Sequence, residues 1–167
     1  HSLDRRQRQM CIRDRFRRLD DIVAMGREFV LPVDFPDAPV VRNAEEADSL
    51  SLRDLMTWDE APSNPARLRD AGVVFSLTAH GLSKPTDIHD RIRQAIRRGL
   101  SPTDAMAALT TIPAQLLGID SWAGTVAPGH MANLVVFDGE PFEKGTSVQT
   151  VWVGGVEYVV QEPPVEP

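Results

Sequence analysis

Two short apolar runs constrain this chain more than any other feature. Residues 29–33, Phe-Val-Leu-Pro-Val, and 73–79, Val-Val-Phe-Ser-Leu-Thr-Ala, each read as one strand, and helical sequence stands between them and after the second. The parity of the second run is informative. Val73, Phe75 and Leu77 point one way, while Ser76, Thr78 and His80 share the other face with Val74. The first run has similar parity, with Phe29, Leu31 and Val33 opposite Val30, Pro32 and Asp34. A strand with one apolar face and one small, polar face ending in histidine suits a barrel whose outer side meets helices and whose inner side opens into a pocket. Pro32 counts against a central strand, because proline removes a ladder hydrogen bond. With 167 residues the chain is too short for a closed (β/α)₈ barrel, which needs roughly 200 or more.

The remaining segments read as follows. Leu19, Ile22, Val23 and Met25 suggest a short helix ended by Gly26, and 34–43, with Pro36 and Pro39, a loop. Residues 45–56 look helical, closed by the loop Trp58-Asp59-Glu60-Ala61-Pro62, and a short helix over 66–71 is stopped by Gly72. The clearest helix follows the second strand. Thr86 or Asp87 is its N-cap, Ile88, Ile92, Ala95 and Ile96 form its buried stripe, and Gly99 takes the C′ position. Ser101-Pro102-Thr103-Asp104 opens another helix with a capping serine, proline at N1 and a carboxylate at N3, and Pro113 bounds it. After Gly118 the pattern becomes antiparallel β: 124–126, 133–137, 148–153 and 156–160, with Gly154-Gly155 as a two-residue hairpin turn. Residues 161–167 read as a disordered tail.

Composition narrows the chemistry. Cys11 is the single cysteine, which excludes an internal disulfide and a Cys-x-x-Cys zinc cage. His1, His80, His89 and His130 are the only histidines, so a three-histidine metal site needs three of these to converge. No apolar stretch approaches the roughly 20 residues of a membrane span. Residues 1–18 carry seven arginines against Asp4 and Asp14, a net +5, which leaves −11 on the other 149 residues. No basic stripe continues into the acidic body, so neither a nucleic-acid nor a membrane partner is expected. The string Arg-Gln-Arg-Gln-Met-Cys-Ile-Arg-Asp-Arg at 6–15 resembles translated sequencing-adapter read-through, which marks the head, 1–15, as a candidate non-native segment.

Three further stretches occur in order. Residues 124–137, Gly-Thr-Val-Ala-Pro-Gly-His-Met-Ala-Asn-Leu-Val-Val-Phe, resemble the C-terminal signature of the amidohydrolase superfamily, the metal-dependent (β/α)₈-barrel hydrolases. Residues 107–118 resemble the helix that precedes this signature, and 64–77 resemble the approach to the eighth barrel strand in imidazolonepropionase-like members. The resemblance covers about residues 29–160. It implies an α/β fold: the last two β/α units of a TIM-type barrel over 16–118, and strands of a small β-sandwich over 119–160. It also implies hydrolysis of a C–N or related bond in a small-molecule substrate. In that chemistry one or two divalent ions, zinc first among them, polarise the carbonyl and lower the pKa of a bound water.

The resemblance places the family's proton-accepting aspartate at His80, in Thr78-Ala79-His80-Gly81. An imidazole is a zinc ligand type, yet once bound it lacks the second oxygen that lets a carboxylate hold metal and proton together. His80 therefore stands between metal ligand or proton shuttle, degenerate pocket position, and a histidine that merely ends a strand. Asp34 and Thr78 are substrate-pocket candidates at the strand ends; Asp34 reads equally as a loop-starting aspartate with Asp37 as a solvated neighbour, and Thr78 as a small interior residue. Trp58 is a candidate for the pocket mouth or a tryptophan packed under a loop. His89 lies within the helix after the second strand and His130 stands where the family usually has lysine, and neither replaces a ligand; Asn133 stands where the family has aspartate, a structural position either way. The remaining family ligands fall on strands this chain does not contain. The expectation is an inactive C-terminal fragment that by itself holds no metal; a catalytically degenerate binding or scaffold protein is the alternative.

Overall fold

The computed structural model describes residues 19–160, so the basic head, Cys11 and the proline-rich tail lie outside the described residues. The chain is mixed α/β and divides into two compact units between Leu109 and Thr110.

In the first unit α1 (Leu19–Ala24) leads to β1 (Phe29–Pro32), then α2 (Ala44–Ser49), α3 (Leu52–Glu60), a 3₁₀ turn (Ala61–Ser63) and α4 (Asn64–Asp70). β2 (Phe75–Thr78), a second 3₁₀ turn (Pro85–Asp87), α5 (Ile88–Arg97) and α6 (Pro102–Leu109) complete it. β1 and β2 pair in parallel, with Phe29 opposite Phe75 and Pro32 opposite Thr78. The helical connection between them is the crossover that parallel pairing requires. Phe29 N–H donates to Val74 O (3.1 Å) and Val33 N–H to Thr78 O (3.0 Å). Pro32 falls between these donors, on the side of β1 turned away from β2, so its missing N–H leaves the ladder intact.

Strand parity decides what is buried. Leu31, Val33, Phe75 and Leu77 are buried, while Val30, one residue out of phase, is 58% exposed. α6 packs on β2, and its buried residues are Ala105 and Ala108, small enough to let a helix lie close to a strand. α5 packs beside α4 and α6 and buries Ile92 and Ala95 completely, as its apolar stripe requires. Gly99 follows with φ +108, the left-handed conformation expected at C′. Ser101 caps α6 by accepting the Asp104 N–H (3.0 Å), and its hydroxyl donates to the Asp104 carboxylate. Arg69 of α4 donates to the same carboxylate (2.7 Å). The Ser101 hydroxyl and then the Arg69 guanidinium hold the Asp104 carboxyl below its ordinary range.

Several boundaries differ from the sequence reading. The helix expected over 45–56 is two helices broken at Leu50, because Ser51 caps the second by accepting the Asp54 N–H (3.1 Å). That second helix runs to Glu60, so Trp58 is helical and half-buried rather than in a loop. Neither Thr86 nor Asp87 caps α5 through a side chain; both belong to the 3₁₀ turn that leads into it. Pro113 does not end a helix but lies in the first turn of the next, where its missing N–H has no helical partner to lose.

The second unit contains α7 (Thr111–Leu117), β3 (Leu134–Phe137), β4 (Val148–Val153) and β5 (Val156–Val159). The strands form an antiparallel sheet in the order β3-β4-β5. Gly154 and Gly155, at φ +57 and +85, make the two-residue turn between β4 and β5. Asn133 Oδ1 accepts the Gly154 N–H (2.7 Å), which ties that turn to the start of β3 and gives Asn133 a structural role. The strand expected at 124–126 is absent; these residues form a bend and irregular chain in the approach to β3.

The β3–β4 connection is pinned by Asp138, which accepts the Ser147 N–H (2.8 Å), the Ser147 hydroxyl (2.8 Å) and the Gln149 side-chain amide (3.3 Å). The backbone N–H of Ser147, then its hydroxyl, hold the carboxyl below its ordinary value. A carboxylate depressed in the folded state contributes stability above its unfolded pKa and loses it as pH falls through the folded one. The Ser147 amide is therefore expected to keep its hydrogen-exchange protection down to the ordinary aspartate value of about 3.9 and to lose it only at lower pH, as the folded carboxyl takes up its proton. In Asp138→Asn that acid dependence should disappear; persistence of the same pH profile would count against this assignment.

Candidate active site

The carboxyl ends of β1 and β2 lie side by side because Val33 still pairs with Thr78 after the last residue of β1. In parallel α/β sheets ligands bind at this end of the strands. Beyond the pair the two chains turn. Phe35 is buried and donates its N–H to Val33 O (2.8 Å), which folds the chain back at Asp34. On β2, Thr78 Oγ1 accepts the His80 N–H (3.3 Å) and Ala79 O accepts the Leu82 N–H (3.1 Å). The turn is completed by Gly81 at φ +93, a conformation that side chains rarely adopt.

Asp34 and Gly81 meet closely. A Cβ on Gly81 would lie 2.7 Å from Asp34 Oδ2, so the carboxylate occupies the space that glycine leaves open. Asp34 is half-buried, and among the described residues it has no hydrogen bond or ion pair. Asp37, three residues on, is satisfied instead by Arg91 of α5 (2.8 Å), which fastens the loop after β1 to the helix that follows β2. Thr78 is half-buried and His80 exposed at the same edge, with Ser76 buried one pair below.

Three of the four candidate residues, Asp34, Thr78 and His80, thus stand at this edge, Asp34 against Gly81 and Thr78 bonded to the His80 N–H. Trp58 sits on α3, and no hydrogen bond among the described residues joins it to this edge. His89 is half-buried on α5, and His130 Nδ1 lies 3.1 Å from Thr125 Oγ1 in the second unit. Gly81 was missed in the sequence; its place directly after a strand-ending histidine was the available signal. The edge offers an imidazole, a carboxylate and a hydroxyl. Imidazole nitrogen and carboxylate oxygen are the donor types of a divalent-metal site. They are two donors: among the described residues no three His, Cys, Asp or Glu side chains converge.

The amidohydrolase family model matches residues 36–159, which is most of the chain. The chain belongs to the amidohydrolase family. Members of this family generally use a divalent metal. Among its relatives are adenine deaminase 2 of Jannaschia sp. (strain CCS1), 38% identical over 71 residues that make up 42% of this chain and 11% of that protein. A putative N-acetylgalactosamine-6-phosphate deacetylase of Escherichia coli (strain K12) is 33% identical over 86 residues, 50% of this chain and 48% of the relative. The chain therefore matches less than half the length of either. Among solved structures, an amidohydrolase from Thermotoga maritima MSB8 superposes with a TM-score of 0.58 at 23% identity, over 79% of this chain and 37% of that one. A prolidase complexed with N-methylphosphonate-L-proline gives 0.56 at 18%, over 84% and 37%. These two likenesses concern the fold. No helix among the described residues is long and apolar enough to cross a membrane.

Proposed function

We propose that this chain is the closing part of a metal-dependent amidohydrolase that hydrolyses C–N bonds in a small-molecule substrate. In this reading β1 and β2 are the seventh and eighth strands of a (β/α)₈ barrel within residues 16–118, and residues 119–160 contribute strands to a small β-sandwich. The observation that carries it is the parallel register of β1 on β2, which sets Asp34, Thr78 and His80 on the one edge where such barrels keep their chemistry. The deaminase and deacetylase relatives support the reaction class.

A divalent ion, zinc in this reading, supplies Lewis-acid polarisation of the carbonyl and a more acidic bound water. His80 and Asp34 would hold it from this side. Thr78 fixes the direction of the turn that carries His80, through its bond to the His80 N–H. Asp34 and Thr78 line the mouth in which a polar substrate is oriented, and Trp58 is assigned to its rim. The buried apolar face of Leu31, Val33, Phe75 and Leu77 keeps the two strand ends in register.

The 167 residues alone are expected to be inactive, because two β/α units do not close a barrel and two donors do not complete a zinc site. The test compares amide and cyclic-amide hydrolysis by the purified chain with that of a longer protein that carries it behind the rest of the barrel. Turnover in the longer protein alone supports the reading, whereas turnover or stoichiometric tight zinc in the 167-residue chain contradicts it. His80 in the place of an aspartate favours a second reading, a degenerate member that binds without catalysis. In the longer protein, His80→Asp raises activity on that reading and collapses it if His80 is a working ligand.

A further inference from the structure

This inference rests on the amidohydrolase reading and concerns what holds the wall of its substrate mouth in place. The connection from β1 to β2 leaves the candidate edge at Asp34 and passes Asp37 at its start and Asp59, beside Trp58, near its end. One helix grips both of these carboxylates. Arg91 of α5 donates to Asp37 Oδ1 (2.8 Å), and Arg98, the capping residue of the same helix, to Asp59 Oδ1 (2.5 Å). Seven positions, about two helical turns, separate the arginines, so they lie on one side of α5. The gripped connection has little anchorage of its own, because neither α2 nor α3 contains a buried residue.

The two ends differ. At the far end Glu60 is paired as well, with Arg67 of α4, so Arg98 does not hold it alone. At the near end the grip acts on a short, stiff link. Phe35 is buried, and Pro36 fixes its own φ and favours extended backbone at Phe35. A displacement of Asp37 is therefore passed back to Asp34 with little slack. We propose that Arg91 is a positioning residue of the hydrolytic site, acting through Asp37 on the turn that carries Asp34. The helix after the second strand thus sets where the mouth opens beyond the first, without touching substrate.

The test measures kcat and KM separately in the longer protein that carries this chain, with the linear or cyclic amide that the unsubstituted protein turns over. Arg91→Ala is expected to raise KM about fivefold at nearly constant kcat, since an exposed pair is a modest restraint and a displaced wall weakens ground-state and transition-state binding alike. A merely structural loss would remove active molecules, lowering kcat and leaving KM as it was. The exchanged pair, Arg91→Asp with Asp37→Arg, is expected to bring KM back to within about twofold of the unsubstituted protein. Arg98→Ala should have the smaller effect, because Arg67 still holds Glu60. Asp90→Asn removes an ion pair within α5, to Arg93, that does not reach the connection, and should leave both constants unchanged. An unchanged KM in Arg91→Ala, a fall in kcat alone, or no recovery in the exchanged pair overturns the proposal and leaves the amidohydrolase reading in place. Absence of turnover in the unsubstituted longer protein overturns that reading, and the proposal with it.

Discussion

Ile92→Ala is expected to lower the stability of the first unit by about 3 kcal/mol, within the ~2–5 kcal/mol that buried isoleucine truncations cost. Ile92 lies on α5 with 0% exposure, in the region where α4, α5 and α6 pack. Truncation to alanine removes three carbons of buried surface, and neighbours held by helix backbone cannot close over the gap. Leu52→Ala is the matched control. Leu52 is 72% exposed at the first turn of α3, and its loss should change stability by less than about 0.5 kcal/mol. Urea unfolding followed through the amide signals of α5 and β2 measures both. A cost below about 1 kcal/mol for Ile92→Ala would mean that α5 does not close this core.

Gly124→Ala is expected to destabilise the second unit by about 3 kcal/mol. Gly124 has φ +88, so a side chain there carries backbone strain of about 1 kcal/mol or more. The added Cβ would also stand 2.6 Å from Ala114 Cβ and 3.0 Å from the Thr110 carbonyl oxygen, at the start of α7. Overpacking against backbone adds about 1–3 kcal/mol. Gly129 separates the two effects. It has nearly the same backbone, φ +86, but nothing within 4 Å of its Cβ. Gly129→Ala should therefore cost only the strain, about 1 kcal/mol. Equal losses in the two variants would show that the close approach of Gly124 to α7 contributes nothing.

The readable parts of this fold are those with short-range causes. The stripe of α5 and its stop at Gly99 follow from helical periodicity, and the cap of α6 from Ser101 and Asp104. Strand parity identified Leu31, Val33, Phe75 and Leu77 as the buried face of the pair. The diglycine turn fixed the β4–β5 hairpin and the 124–137 motif pointed to the family, although 124–126 proved to be bend and irregular chain and not strand. A local choice misread was the break at Leu50: Ser51 competes for a cap within a stretch of unbroken helical composition, and a new helix then carries Trp58. What stayed hidden depends on distant partners. Asp37 is matched by Arg91 across 54 positions, and Asp34 is shaped by Gly81 in the turn after the neighbouring strand. With Asp34 and Asp37 three residues apart and alike in composition, only the pairing of the second shows that the first is left open.

The central claim is that the carboxyl edge of β1 and β2 is the working edge of an amidohydrolase. The most direct measurement is kcat/KM in a longer protein carrying this chain, with substitutions at the two ends of the same strand pair. Asp34→Asn and Thr78→Val alter the carboxyl edge, and Arg27→Ala the opposite end, beside Ala71 and Gly72. The account expects a loss of at least about 100-fold for Asp34→Asn, a smaller loss for Thr78→Val, and less than about threefold for Arg27→Ala, since the amino end of such strands serves stability. Unchanged kcat/KM in Asp34→Asn and Thr78→Val, with activity lost in Arg27→Ala, would contradict it.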